Sequence, residues 1–200
     1  LIVNNRQFHK MLTEGVDVEY RNEEGRIIGD KVRLVDFTVP ENNDWLVVNQ
    51  FTVIEEQRNR RPDLVVFVNG LPLAVIELKN PADENATIKS AYNQFQTYKM
   101  DIPSLFPYNE MLVISDGTEA RVGTLTSGWE WFLPWRARDG VNVTQKGIPE
   151  LDVLVNGMFE KGRFLDLVRH FIVFEVKGSR IAKKIAAYHQ YHAVNAAVAA

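Results

Sequence analysis

Residues able to do chemistry lie in and beside one apolar segment, LPLAVIELKNP at 71–81. Glu77 and Lys79 are two positions apart, so a strand would project both side chains from one face of a sheet. Burial of an unpaired charge is costly, and a buried ion pair often only breaks even with apolar packing. The simplest interpretation is a structural ion pair at the end of the strand, where Asn80 and Pro81 stop it. The alternative is a functional site, because such breaks in an apolar pattern collect there.

A third charged residue opens the neighbouring apolar segment. Asp63 begins DLVVFV at 63–68, and Asn69-Gly70 separates this segment from the next one. Asn-Gly between two apolar runs is a strong signal for a tight hairpin. The sequence therefore predicts two antiparallel strands, covered on both faces because both are almost continuously apolar.

The pairing register of this hairpin decides whether the acidic side chains meet. A strict two-residue turn would leave Asp63 and Glu77 on opposite faces. A turn one residue longer, with its glycine left-handed in a bulge, pairs Val68 with Pro72 and sets Asp63 directly across from Glu77. We predict this longer turn, which brings the two carboxylates to about 5 Å, with Lys79 two positions along.

Two carboxylates at that distance repel each other unless a cation lies between them. Mg²⁺, or Mn²⁺ in its place, suits oxygen ligands and keeps several of its waters. A neighbouring lysine ammonium could position one of those waters or help to deprotonate it. An aspartate that starts a strand beside an unrelated ion pair remains the alternative on these residues alone.

Composition limits the class of protein. The 200 residues are 46% hydrophobic, which suits one α/β domain with an appendage. The sequence has no cysteine, which excludes disulfides and cysteine-based metal sites. No apolar run approaches the roughly 20 residues that cross a bilayer, so we expect a cytoplasmic protein without a membrane partner. The formal net charge of −3 indicates that DNA, if it is the substrate, is held largely by other parts of a longer protein or complex.

Periodicity predicts an α/β fold. Strands are predicted at 32–38, 45–54, 63–68, 71–78, 111–115 and 120–126. Helices are predicted at 83–99, within 149–175 and, after a basic linker, at 181–199. Asp83 or Asn85 is the predicted cap of the first helix, and Gly157 and Gly162 are predicted to break the second region. No clear helix is predicted before Val32.

The sequence around the charged residues is similar to a known group of nucleases. The Pro-Asp pair at 62–63 and the Glu-Leu-Lys run at 77–79 resemble the signature of the PD-(D/E)XK nuclease superfamily. The surrounding stretches resemble the nuclease region of the restriction (R) subunit of type I restriction-modification enzymes; they read RRPDLVVFVNGLPLAVIELKNPAD, AYNQFQTYK and LVISDGTEARVGTLTSGWEWFLPW. The resemblance is closest over residues 30–136 and extends more loosely to the end of the chain.

The resemblance implies a restriction-endonuclease-like fold, in which a mixed β-sheet is flanked by helices and followed by a C-terminal helical extension. It also implies that Asp63 and Glu77 are catalytic residues that bind a metal ion. The carbonyl of Leu78 would add an oxygen ligand, and Lys79 would be the catalytic lysine.

A further element of the resemblance lies in the first predicted helix. Gln94 and Tyr98 match the family's QxxxY element, and their side chains share a helix face because they are four residues apart. The resemblance implies that they orient DNA or the lysine. The alternative is a surface glutamine beside a tyrosine at the edge of the core. The superfamily often adds an upstream acidic ligand, which this sequence does not identify.

The resemblance implies an organisation for the whole protein as well. Residues 1–172 would form the endonuclease domain, with a core at about 30–136, and residues 173–200 would form a linker and the first helix of an ATP-dependent motor domain. Gln190 would contact the adenine of ATP; the alternative is that its helix docks on the nuclease core. No GxxxxGK[ST] phosphate loop occurs in this sequence, so ATP is expected only in the full-length protein.

The implied function is Mg²⁺-dependent DNA cleavage with little sequence preference, coupled to ATP-driven translocation. The expected partners are double-stranded DNA and the methyltransferase and specificity subunits of a type I complex. The alternatives are a non-catalytic scaffold with a nuclease-like fold, and a repair nuclease or resolvase of the same superfamily.

Overall fold

A computed structural model describes residues 1–80, 82, 87–139 and 147–200. The helices of these residues are α1 (Ile2–Glu14), α2 (Ile88–Asp101), α3 (Glu150–Met158), α4 (Lys161–His170) and α5 (Tyr188–Ala199). The strands are β1 (Val16–Arg21), β2 (Ile27–Val32), β3 (Trp45–Asn49), β4 (Val53–Glu55), β5 (Arg58–Arg60), β6 (Leu64–Val68), β7 (Leu71–Leu78), β8 (Met111–Ser115), β9 (Ala120–Gly123), β10 (Ile172–Lys177) and β11 (Arg180–Ile185).

A mixed five-stranded sheet forms the centre of the described residues, in the order β3-β6-β7-β8-β9. β7 and β8 are parallel, and the other neighbouring strands are antiparallel. Side chains of these strands enter two apolar clusters, one with α2 and one with α1, α3, α4 and α5. β7 and β8 are apolar on both faces because both faces are covered. The predicted mixed sheet flanked by helices, with a C-terminal helical extension, is confirmed.

Helix α2 covers the face of the sheet that carries Glu77. Its buried positions repeat at intervals of three and four, as in an amphipathic helix; they are Ile88, Ala91, Phe95 and Tyr98. Thr87 caps the helix, because its side chain accepts a hydrogen bond from the N–H of Ser90. The predicted caps, Asp83 and Asn85, lie outside the described residues.

The N-terminal region differs from the prediction. The sequence predicts no helix before Val32, but α1 lies there and buries only Asn5, Phe8 and Leu12. A buried stripe this narrow gives a weak periodic signal, which explains why the pattern does not reveal the helix.

Two predicted strands are also corrected. Residues 33–38 form bends and turns, because the carboxylate of Asp36 accepts the N–H groups of Thr38 and Val39. The segment 45–54 is not one strand, since β3 ends at Asn49 and β4 belongs to a separate two-stranded sheet.

The C-terminal region contains a hairpin where the sequence predicts a linker and a helix. β10 and β11 pair around Gly178, which has a left-handed φ of 58°. The last helix therefore begins at Tyr188 and not at Ile181. The region at 149–175 contains short helices as predicted, and the break between α3 and α4 lies at 159–160, between Gly157 and Gly162.

Helix α5 docks on the rest of the chain. Tyr191 is buried, and its ring lies 5.7 Å from that of Trp135 and 4.7 Å from that of Phe171. Asn195 donates a hydrogen bond to Asp166 of α4. Within the described ranges, no helix combines the length and the apolar character needed to span a membrane.

Candidate active site

The turn between β6 and β7 is shorter than the sequence analysis predicts. Asn69 and Gly70 both have left-handed backbones, with φ of 51° and 78°, as a two-residue type I′ turn requires. Val68 therefore pairs with Leu71. The predicted pairing of Val68 with Pro72 is wrong.

A β-bulge inside β7 nevertheless restores the predicted alignment of the acidic residues. Leu73 has no partner in the ladder, so the register shifts by one residue beyond it. Leu64 then pairs with Ile76, and Asp63 and Glu77 are the next residues of the two strands. The acids are thus set across from each other by a bulge, although the turn itself is tight.

Asp63 is held by two neutral donors. One carboxylate oxygen (Oδ2) accepts the backbone N–H of Leu78 at 2.8 Å. The other (Oδ1) accepts the side-chain amide of Gln50 at 2.7 Å. The carbonyl of Leu78 lies on the same edge of β7 as its N–H, because both groups of a strand residue point to one neighbour. An oxygen ligand set of Asp63, Glu77 and this carbonyl is therefore sterically reasonable.

Glu77 is almost completely buried, with 2% of its surface exposed. Its Oε1 atom accepts a hydrogen bond from Lys79 Nζ at 2.8 Å, and its Oε2 atom accepts one from the hydroxyl of Tyr98 at 3.1 Å. Burial is the main cause that raises the pKa of Glu77, and the negative charge of Asp63 raises it further. The contacts with Lys79 and Tyr98 oppose this rise without cancelling it.

The two polar residues of α2 complete a ring of hydrogen bonds. The Oε1 atom of Gln94 accepts a hydrogen bond from Lys79 Nζ at 3.2 Å. Its Nε2 atom donates a hydrogen bond to the hydroxyl of Tyr98 at 2.8 Å. That hydroxyl donates in turn to Glu77. Burial and the neighbouring charge of Glu77 raise the pKa of Tyr98, which keeps its hydroxyl protonated as a donor. Gln94 and Tyr98 therefore hold the lysine and the glutamate in a fixed arrangement.

The donor set fits a hard divalent cation. The described residues contain no group of three or more His, Cys, Asp or Glu side chains able to hold a metal. Two carboxylates and a backbone carbonyl leave further positions to water, which is the arrangement that Mg²⁺ prefers. Burial is the largest cause of the raised pKa of Glu77, and a cation between the carboxylates would offset the smaller rise that is due to the charge of Asp63.

The predicted site residues differ in where the structure places them. Asp63, Glu77, Leu78 and Lys79 meet Gln94 and Tyr98 at the carboxyl end of β7. Gln190 lies in the first turn of α5, where its side-chain oxygen accepts a hydrogen bond from the N–H of Ala187 and caps the helix.

One residue at this site, Gln50, is not among those predicted from the sequence. Gln50 follows β3, whose last residue, Asn49, pairs with Leu64, so Gln50 comes directly beside Asp63. An antiparallel pairing of the segments at 45–49 and 64–68 would have revealed it. The prediction of one continuous strand over 45–54 concealed the signal.

Comparisons with known proteins agree on one family. Residues 1–131 match the family described as Type I restriction enzyme R protein N terminus. The type I restriction enzyme HindI endonuclease subunit of Haemophilus influenzae is 46% identical over an alignment that covers 99% of this chain and 19% of that protein. The putative type I restriction enzyme MjaIXP endonuclease subunit of Methanocaldococcus jannaschii is 39% identical over 96% of this chain and 20% of that protein.

The chain spans about a fifth of the length of these curated relatives. The endonuclease subunit SauMSSORF170P of Staphylococcus aureus is more distant, at 32% identity over 60% of this chain. The match over residues 1–131 and the alignment with HindI confirm the resemblance predicted from the sequence. This chain belongs to the family of type I restriction enzyme R protein N-terminal regions.

Proposed function

We propose that this chain is the DNA-cleaving part of a type I restriction enzyme R subunit and that it hydrolyses phosphodiester bonds with Mg²⁺ or Mn²⁺. The observation that carries the proposal is the convergence of Asp63, Glu77 and Lys79 at one end of β7. A buried ion pair alone adds little stability. The second carboxylate adds repulsion, which a purely structural role does not explain.

In this proposal Asp63, Glu77 and the carbonyl of Leu78 hold the cation. When bound there, it supplies a Lewis acid for a phosphoryl oxygen and lowers the pKa of a water ligand. Lys79 donates to the negative charge that develops on the phosphoryl oxygens as water attacks phosphorus in line. Gln94 holds the ammonium and Tyr98 holds the carboxylate of Glu77, so the polar geometry exists before DNA binds.

Selection of the cleavage site is proposed to lie outside this chain. The net charge of −3 disfavours tight binding of double-stranded DNA through phosphates alone. ATP-driven translocation by the full-length protein, together with methyltransferase and specificity subunits, would deliver DNA to the site. The contact of Gln190 with adenine stays a prediction.

The division of the chain after residue 172 also stays a prediction. Lys183 of β11 is buried and donates to Asn5 of α1 and to Glu110. These contacts hold the β10–β11 hairpin on the endonuclease fold. A linker that begins at residue 173 would therefore include a hairpin that is attached to α1.

The test is loss of DNA cleavage without loss of ATP hydrolysis. In the full-length protein assembled with its partner subunits, Lys79→Ala and Asp63→Ala should each slow cleavage by at least ~100-fold and leave ATP hydrolysis unchanged. Lys10→Ala changes an exposed lysine of α1 and should affect neither activity. Cleavage near the wild-type rate in both site variants would refute the assignment and favour the scaffold alternative.

A further inference from the structure

Gln50 is bound to Asp63 through both its main chain and its side chain. The N–H of Gln50 donates to the carbonyl of Asp63 at 2.8 Å. Its amide Nε2 donates to the Oδ1 atom of Asp63 at 2.7 Å. The two residues are therefore joined side by side, where Gln50 follows β3 and Asp63 precedes β6.

The backbone of Gln50 adopts a conformation that is unfavourable for glutamine. Its φ of 52° is left-handed; this conformation costs a non-glycine residue about 1–3 kcal/mol and persists only where the surroundings impose it. Here they do: Asn49 is still paired with Leu64, while Phe51 packs on Phe67 at 5.3 Å between ring centroids. Glycine would satisfy the turn without strain, so the turn alone does not account for a glutamine.

The side chain of Gln50 adds a donor that glycine lacks. With the N–H of Leu78 on Oδ2, each oxygen of Asp63 receives one hydrogen bond, and the plane of the carboxylate is fixed. Both donors are neutral, so the negative charge of Asp63 is left for a cation. Glu77 differs, because it is paired with the ammonium of Lys79.

We propose that Gln50 is a positioning residue, which orients the carboxylate of Asp63 for the divalent cation and thereby raises the affinity for that cation. The inference rests on the proposed function, because it takes Asp63 as a ligand. Groups that orient a ligand from behind typically change metal affinity or activity by about 10–100-fold when they are removed. Gln50 should act on cation binding and not on the chemical step.

The test measures Mn²⁺ binding to the full-length protein without nucleotide, by the electron paramagnetic resonance signal of free Mn²⁺. Gln50→Ala and Gln50→Gly should each weaken the site that Asp63→Ala abolishes, by about 10–100-fold. Gln50→Gly relieves the backbone strain, so a loss of affinity in this variant is due to the missing amide and not to misfolding. In cleavage assays both variants should need more Mg²⁺ but approach the wild-type rate at saturation.

Glu56→Ala is the matched control. Glu56 also has a φ of 52°, but it is exposed in the turn between β4 and β5. Its substitution should leave Mn²⁺ affinity unchanged. Wild-type affinity in Gln50→Gly, while Asp63→Ala abolishes the site, would overturn the role of Gln50 alone. Wild-type binding in Asp63→Ala would instead overturn the proposed function, and with it this inference.

Discussion

Removal of the hydroxyl of Tyr98 tests whether the ring of hydrogen bonds stabilises the buried charge of Glu77. Tyr98 is 2% exposed, and its hydroxyl donates to Glu77 at 3.1 Å and accepts from Gln94 at 2.8 Å. Tyr98→Phe removes this one oxygen atom and keeps the ring, which contacts Phe95. The substitution therefore removes a hydrogen bond to a buried carboxylate, together with the one accepted from Gln94, and leaves the packing of the ring in place.

The expected loss follows from the kind of hydrogen bond. A hydrogen bond to a charged group contributes about 1.5–3 kcal/mol, against about 0.5–1.5 kcal/mol for a neutral pair. Gln94 is half-buried, so its amide can turn to water when the hydroxyl is missing. We expect Tyr98→Phe to lower the free energy of unfolding by about 1.5–3 kcal/mol when Glu77 is ionised.

The pH dependence of this loss has a defined sign. The pKa of Glu77 is higher in the folded than in the unfolded protein, chiefly because of burial, so its contribution to stability falls as pH rises between the two values. The donor from Tyr98 opposes that rise in pKa. Its removal raises the pKa further, so the variant should lose more at pH 8 than at pH 4, where Glu77 is protonated.

The assay is urea denaturation of this chain between pH 4 and pH 8 without divalent cations. Tyr92→Phe is the matched control: Tyr92 lies on the same helix, and its hydroxyl makes no hydrogen bond within the described residues, although its ring packs on Trp129 and Phe132. An equal loss at both ends of the pH range, or none at pH 8, would contradict the reasoning.

Two further substitutions test the buried ion pairs. Without divalent cations, Glu77→Gln should be more stable than the wild type at pH 8, because burial disfavours the charged carboxylate and Lys79 keeps its contact with Gln94 and with solvent. The variant should also lack the stabilisation by Mg²⁺ that is expected of the wild type, and thermal denaturation with and without Mg²⁺ measures both effects. Lys183→Met leaves Glu110 with His9 as its remaining partner and should lower the free energy of unfolding by roughly 3 kcal/mol. Lys184→Met, at a half-exposed neighbouring side chain, should change the free energy of unfolding little; urea denaturation measures both variants.

Local signals predicted the hairpin, but not the detail of its register. Asn69-Gly70 is sufficient to specify the turn, because both residues tolerate left-handed backbones. The bulge at Leu73 depends on a distant contact: the carbonyl of Leu73 accepts the N–H of Glu110 at 2.7 Å. Such a contact leaves no trace in the local pattern, so the correct alignment of the acids was predicted from the wrong turn.

The missed elements also depend on distant partners. The segment at 172–177 contains Val, Ile and Phe, yet the alanine-rich stretch after it extends an apparent helix backwards over β11. What holds β11 in place is Lys183, whose ammonium reaches Asn5, the carbonyl of Asn109 and Glu110. A lysine in a basic run predicts a solvated surface, and only the fold shows that it is enclosed.

The described residues contain two buried lysine–glutamate pairs, Lys183 with Glu110 and Lys79 with Glu77. Their difference indicates when a charge inside an apolar strand is a candidate for cation binding. The side chains of Lys183 and Glu110 have no exposed surface, so the pair is closed to ligands. Lys79 keeps 18% of its side chain exposed, and its partner Glu77 faces a second acid, Asp63, whose described partners are neutral. One negative charge is therefore left over where Asp63 precedes β6 and Glu77 ends β7, and such an excess attracts a cation. The informative feature is not the buried pair itself but the charge that remains once the pair has formed.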